Sequence, residues 1–325
     1  MKVSVIIISY MFENYIEESL ISALAQKTNF EYEILVRDDF STDKSETHIK
    51  RIAASNGNIR FFEALENLGP YDNFKFLYEQ AKGEYIAILD GDDYWDNSNL
   101  LQKSVDFLDN NPEYILSFTG HRCKYMSNNC EIDPVDVNEW IGLPDEKNGI
   151  VTTEDLLETN YVGFGKVFRR IPNLFENWMG DLPYTDWGIT YKLSKIRKIK
   201  YLRFPGGIYR KHEKGIYSGA EEQKVIKDFN TCKDIINTNY MSYKKIINTF
   251  KTRINFNKNR YYLTSNIDFK IPLTIYFYDS NNLIYSVNIE VKKGVEHWFS
   301  IDPKFEEIKK LMVQIFEGKK LIYCK

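Results

Sequence analysis

Residues 85–96 read Tyr-Ile-Ala-Ile-Leu-Asp-Gly-Asp-Asp-Tyr-Trp-Asp, an apolar run that breaks into carboxylates at Asp90. Gly83 precedes it and Asp90-Gly91 follows it, so Tyr85–Leu89 is predicted to be a short buried strand. Working outward, runs of the same kind occur at Lys2–Ser9, Glu33–Arg37 and Ile59–Phe62. Between them the apolar spacing turns helical. Ile16, Leu20, Ala23 and Leu24 share one face, with Asn14 as cap. Asp43 opens a second helical stretch to about Ala54, and Tyr71–Lys82 is a third, stopped by Gly83. This alternation predicts an α/β fold built on a doubly wound, mostly parallel central sheet. Ligands of such sheets bind beyond the carboxyl ends of strands. Those ends are Ser9-Tyr10, Asp38-Asp39 and Asp90–Asp93.

The chain has 325 residues, 43% of them hydrophobic and 15% aromatic, which excludes a disordered chain and suits one large domain plus a smaller one. The net charge of −3 excludes a generally basic nucleic-acid binder, but it is unevenly spread. Residues 1–223 hold 25 Lys and Arg against 36 Asp and Glu; residues 224–325 hold 18 against 10. The longest early apolar run, Val5–Ile8, is too short for a membrane span or a leader core, so the expectation is a cytoplasmic protein. Cys123, Cys130, Cys232 and Cys324 form no CxxC pair and read as free thiols.

Beyond Trp95 the expected elements are a helix at Ser98–Asn110, a strand at Tyr114–Thr119, a polar loop at Asn128–Gly149 and a helix at Thr152–Glu158. A strand at Lys166–Arg169, a helix at Asp186–Lys195 and a strand at Lys200–Phe204 follow, then the Gly-rich stretch Gly206–Gly219. Thr231–Ile254 reads as helix. After Arg260 come six short strands separated by turn residues, which predict a small β-sandwich. The expected organisation is a domain at 1–224 with halves at 1–96 and 97–224, a basic helical connector at 225–258, and a β-rich domain at 259–325.

Asp90 and Asp92 stand two apart, so an extended backbone points both carboxylates the same way. Hard oxygen donors so spaced suit Mg²⁺ or Mn²⁺ carried with a diphosphate, and Gly91 allows close approach. The plain alternative is a polar turn with Asp93 or Asp96 capping the next helix. A calcium loop starting at Asp90 is excluded, because its sixth position would be Trp95 and its twelfth Leu101. Asp38-Asp39 could accept hydrogen bonds from a base or ribose, or serve with Asp43 as a helix cap. Trp95 and Trp187 offer indole faces to an acceptor sugar, or ordinary packing. His48, His121 and His297 lack ligand spacing. No G-x-G-x-x-G follows the first strand and no G-x-x-x-x-G-K-[ST] occurs. No acid occurs from Ile235 to Ile267, while Lys244, Lys245, Lys251, Arg253, Lys258 and Arg260 do, interleaved with Tyr243, Ile246, Ile247, Phe250 and Ile254. Residues 243–260 thus suit peripheral contact with an anionic membrane, or an apolar stripe packed on the large domain.

The ordered segments VSVIIISY, NYIEESLISALAQ, FEYEILVRDDFSTD, NLGPYDNF and AKGEYIAILDGDDYW, from Val3 to Trp95, resemble the family 2 glycosyltransferases of GT-A fold, and bacterial surface-polysaccharide members in particular. A weaker likeness runs on to Gly219 through Thr185-Asp186-Trp187 and Tyr209-Arg210-Lys211-His212. The resemblance implies an inverting transferase that moves a sugar from a nucleotide-diphosphate sugar to a hydroxyl of a glycan or lipid-linked glycan, assisted by Mn²⁺ or Mg²⁺. By the same likeness Asp39 would contact the nucleobase with Ser9 and Tyr10 beside it, and Asp90 would lie near the ribose. Asp92 would bind the metal, His212 would assist the metal or diphosphate, and Asp186 would be the general base. Two positions depart from the pattern: Met11 stands where Asn is frequent, and Thr185 replaces an acid before Asp186, which leaves nearby Asp181 as a competitor for the base. The rival readings are a non-catalytic scaffold of degenerate transferase fold, against which the intact Asp39, Asp90, Asp92 and Asp186 speak, and a sugar nucleotidyltransferase. The latter would want a Gly-rich basic loop where Ser9-Tyr10-Met11-Phe12-Glu13 stands.

Overall fold

The computed structural model describes residues 1–126, 135–136, 148–247, 250–255, 260–265, 273–279, 282–290, 296–300, 311–317 and 320–324. Its first ninety residues give β1 (Val3–Ser9), α1 (Ile16–Leu24), β2 (Tyr32–Asp38), α2 (Ser45–Ala54), β3 (Ile59–Phe62), α3 (Gly69–Gln80) and β4 (Tyr85–Asp90). Then come α4 (Leu100–Asn110), β5 (Tyr114–Tyr125), β6 (Val135–Asp136), β7 (Ile150–Val151), β8 (Phe164–Arg169), α5 (Thr185–Ser194), β9 (Lys198–Lys211) and α6 (Glu222–Ile247).

The strands join in the order β3-β2-β1-β4-β8-β5-β9-β7, with β6 on β5. Pairing is parallel from β3 through β4 and between β5 and β9; β8, β7 and β6 run antiparallel to their neighbours. Side-chain alternation sorts the core into two layers. Val3, Val5 and Ile7 of β1 pack with Ile16 and Leu20 of α1, Ile49 of α2 and Leu101, Val105 and Leu108 of α4. Ile6 of β1 and Leu35 of β2 pack with Phe74 and Leu77 of α3 and Ile189 and Leu193 of α5. Helices therefore cover both faces, which is why the inner strands read as unbroken apolar runs.

Several expectations are corrected. Asn14 does not cap α1, which starts after Tyr15 without a side-chain cap. The preceding turn is instead tied across to the segment after β2: Met11, Phe12 and Glu13 donate their amides to Ser41 Oγ, Ser45 Oγ and Asp43 Oδ2. Thr152–Glu158 forms only a 3-10 turn at Asp155–Leu157. The strand expected at Lys200–Phe204 extends over Lys198–Lys211 and takes up the first part of the Gly-rich stretch. Neither Asp93 nor Asp96 caps α4; Asp93 is buried at 1% exposure against β9, and Asp96 pairs with Arg122. Most of Asn128–Gly149 lies outside the described residues.

The chain divides into two compact units, Met1–Lys233 and Asp234–Lys325, where the expected boundary was 224/225. The difference arises because the first turns of α6 pack on the first unit, with Cys232 fully buried and Phe229 against Trp187. The connector is not helical throughout: α6 starts at Glu222 and ends at Ile247, and Phe250–Asn255 is strand β10. β11 (Arg260–Ser265), β12 (Leu273–Asp279), β13 (Asn282–Ile289), β14 (Glu296–Ser300), β15 (Leu311–Glu317) and β16 (Lys320–Cys324) follow. They form antiparallel sheets β10-β11-β14 and β13-β12-β15-β16. The side chains of the basic stretch at 243–260 lie outside the described residues. No helix among the described residues is long and apolar enough to cross a membrane.

Candidate active site

The carboxyl ends of β2, β1 and β4 lie side by side, and antiparallel β8 brings its amino-terminal half to the same edge. A pocket of about 430 Å³ opens there. Its wall takes Asp39, Ser9, Tyr10, Asp90, Asp92 and Lys166 from the sheet edge, Tyr184 and Asp186 from the start of α5, and Lys214–Tyr217 from the segment after β9. The structure thus brings the sequence-predicted Asp39, Asp90, Asp92 and Asp186 into one cavity.

Asp39 is 3% exposed and built in from both sides. Its carboxylate accepts the amides of Leu68 (3.0 Å) and Gly69 (2.8 Å), and its carbonyl accepts Asn67 Nδ2. This ties the segment before α3 to the end of β2 and makes Asn67 and Gly69 part of the pocket wall. Ser9 Oγ donates to Asp38 Oδ1 at 3.0 Å, while Tyr10 is half exposed at the mouth. Burial pushes the Asp38 carboxyl above its ordinary value, and the Ser41 and Ser9 donors pull it back.

At the end of β4, Gly91 is required: a Cβ there would meet the Ile8 carbonyl oxygen at 2.6 Å. Asp90 is exposed on the pocket wall. Desolvation by the wall around it lifts its carboxyl to about 6, with Lys166 pulling down and Asp92 and Asp186 pushing further up. Asp92 Oδ2 lies 3.1 Å from His212 Nε2. The His212 ring is packed against Tyr15 and Phe12, and its Nδ1 is buried without a hydrogen-bond partner among the described residues. Arg210 holds the two together: its backbone amide donates to Asp93 Oδ1 (2.8 Å) and its guanidinium to the Asp92 carbonyl (2.7 Å). Among the described residues no three His, Cys, Asp or Glu side chains gather as a cage. Asp92 and His212 are two converging donors, which fits a hexacoordinate cation completed by oxygens from a ligand and water.

Asp186 stands in the first turn of α5, and its Oδ2 is met by Lys166 Nζ (3.1 Å) and Asn160 Nδ2 (3.1 Å). Asp181 is exposed in a 3-10 turn and does not line the pocket. Trp95 and Trp187 do not reach it either. Trp187, 1% exposed, donates Nε1 to the Leu156 carbonyl, and Trp95, 4% exposed, packs in the core, so ordinary packing accounts for both. Lys166 and Asn160 escaped the sequence reading. The available signal was a glycine inside a strand, Gly165, which marks a bulge or close approach.

The model of the family described as Glycosyl transferase family 2 matches residues 4–173, just over half of the chain. An uncharacterised protein of Mycobacterium tuberculosis is 31% identical over 220 residues, 67% of this chain and 61% of that protein, so the chain spans less than two thirds of that relative's length. The putative teichuronic acid biosynthesis glycosyltransferase TuaG of Bacillus subtilis is 29% identical over 161 residues, 50% of this chain and 59% of that one. Among solved structures, S. aureus TarS 1-349 in complex with UDP-GlcNAc superposes with a TM-score of 0.52 at 21% identity, covering 76% of this chain and 67% of that one. The mannosyltransferase PcManGT from Pyrobaculum calidifontis, in complex with GDP-Man and Mn²⁺, does so with 0.51 at 20% identity, covering 73% and 68%. At such identities the two structures establish the shared GT-A architecture. The matched residues run from β1 through β8 and contain the sheet edge that carries Asp39, Asp90 and Asp92, and on this ground the chain belongs to glycosyltransferase family 2.

Proposed function

We propose that this chain is an inverting, metal-assisted glycosyltransferase that takes a sugar from a nucleotide-diphosphate sugar and places it on a hydroxyl of a glycan or lipid-linked glycan in bacterial polysaccharide or glycolipid assembly. The observation that carries the reading is the convergence of Asp39, Asp90, Asp92 and Asp186 on one pocket at the carboxyl edge of the sheet. Asp39, with Ser9 and Tyr10 beside it, takes the nucleobase. Asp90 lies near the ribose, and Asp92 with His212 would hold the cation. The charged wall consists of four aspartates and two lysines, so an anionic diphosphate enters as its cation complex. Mn²⁺ or Mg²⁺ held there would neutralise charge on the departing diphosphate.

Asp186 takes the proton of the acceptor hydroxyl as that oxygen bonds to the anomeric carbon. The bond from that carbon to the diphosphate breaks, and its electron pair leaves with the nucleotide. Attack from the face opposite the leaving group inverts the centre, and a single carboxylate base suffices for it. The relative named for teichuronic acid biosynthesis supports a polymer or lipid-linked acceptor. That acceptor class brings residues 243–260 to an anionic membrane surface.

The test is a panel of nucleotide sugars with Mn²⁺ or Mg²⁺, scoring release of nucleoside diphosphate with and without chelator. Release with at least one donor, lost on chelation, is expected. Asp186→Asn should lower turnover about 10²–10⁴-fold while donor affinity is kept. Indifference to every donor overturns the enzyme reading in favour of a scaffold, and wild-type turnover by Asp186→Asn overturns the base.

A further inference from the structure

Lys166 has the setting of a built-in part rather than a surface lysine. Its side chain is 6% exposed, it lines the pocket, and its ammonium donates to the Gly163 carbonyl and pairs with Asp186 Oδ2 at 3.1 Å. The backbone is shaped to present it. Between β5 and β8, Ser117 faces Val167 but Thr119 faces Phe164, so β8 carries one residue more than its partner across this step. Gly165 sits in that step with φ +60, and a Cβ there would strike Thr119 Oγ1 at 2.2 Å. A bulge with a left-handed glycine re-aims the adjacent side chain, which here is Lys166.

On Asp186 the two oxygens are treated unequally. Oδ2 receives both the Lys166 ammonium and the Asn160 amide, while Oδ1 has no partner among the described residues. Asn160 is itself held, its Oδ1 accepting the Val162 amide (3.2 Å) and the Thr190 hydroxyl (3.4 Å).

We propose that Lys166, presented by the β8 bulge and assisted by Asn160, is the positioning residue of the transfer reaction: it occupies Oδ2 of Asp186 and leaves Oδ1 as the oxygen that receives the acceptor proton. The assignment rests on the reading of Asp186 as the base. Lys166 acts through Asp186 and not on the donor, so its loss misplaces the base without removing a contact to the nucleotide. A misplacement of about 1 Å in such a group costs on the order of 100-fold in rate.

The experiment uses the full chain with the nucleotide sugar and cation that give release in the panel, and measures kcat and donor KM by nucleoside diphosphate release, and donor Kd by calorimetry, for Lys166→Met, Lys166→Arg, Asn160→Ala and Asp186→Asn. Lys166→Met should lose about 100-fold in kcat with donor KM and Kd within about twofold of wild type. Lys166→Arg, which keeps the cation, should recover at least tenfold of that loss, on the order expected for restored pairing. Asn160→Ala removes the other donor to Oδ2 and should show the same split, smaller in size; it carries the test if Lys166→Met does not fold. Loss expressed in donor KM and Kd makes Lys166 a donor-binding residue and overturns the proposal, as does unchanged kcat in both Lys166→Met and Asn160→Ala. An active Asp186→Asn instead removes the base reading on which the proposal stands, so the two failures separate.

Discussion

Asp90 and Asp92 are two residues apart and meet different surroundings. Asp92 has a histidine ring against it, whereas Asp90, exposed on the pocket wall, is desolvated by that wall and lies within reach of two further carboxylates, which lifts it from 3.8 to about 6. The sign of the linkage follows. Between about pH 4 and pH 6 the folded chain keeps a proton on Asp90 that the unfolded chain has released, so this group favours folding below that window and opposes it above. Asp90→Asn should therefore raise the urea midpoint of the ligand-free protein near pH 7.5, with the gain vanishing near pH 4. An equal gain at both pH values would show that burial of charge is not the cause. The same substitution should weaken donor binding, the usual trade between stability and function at a site.

Among the elements, β9 does most to turn strand ends into a site. Its Arg210 side chain is 2% exposed, lies between the rings of Tyr15 (5.3 Å) and Tyr94 (4.4 Å), pairs with Glu18 of α1 and donates to the Asp92 carbonyl. One residue thereby ties α1, the turn after β4 and the end of β9, and sets where Asp92 and His212 meet. Arg210→Met keeps much of the packing and loses the cation. It should cost about 2–4 kcal/mol in denaturant unfolding from lost cation–π and charged hydrogen bonds. It should also reduce metal-dependent donor binding more than binding of the nucleoside alone. Equal losses for the two ligands would mean that Arg210 acts only on stability.

At the scale of the whole molecule, the candidate site lies within the unit Met1–Lys233, and the excess of positive charge lies after it. Each cation near an anionic bilayer contributes about 1 kcal/mol, so the six Lys and Arg residues between 244 and 260 would together be worth several at low salt. The full chain should co-sediment with vesicles rich in anionic lipid. The affinity should fall when Lys244, Lys245, Lys251 and Arg253 are replaced by Gln, with diphosphate release in solution unchanged. Absence of the full chain from the vesicle pellet at low salt would end the membrane reading.

Strand and helix periods and the acidic strand ends are local properties, and the sequence by itself determined them. Apolar runs at Lys2–Ser9, Glu33–Arg37 and Tyr85–Leu89 dictated the parallel sheet, and the ends of those runs located Asp39, Asp90 and Asp92, because a period of two or 3.6 is written in neighbouring residues. Asp186 and His212 became visible only through family likeness, since nothing beside them in the chain marks a base or a ligand. Tertiary structure alone decided the rest. It buried Trp95 and Trp187, set Asp181 outside the pocket, and drew the start of α6 into the first unit. It also placed Lys166 on Asp186 through a one-residue slip between β5 and β8. Such pairings join residues twenty or more positions apart, and their geometry depends on strand register and bulges that no local period records.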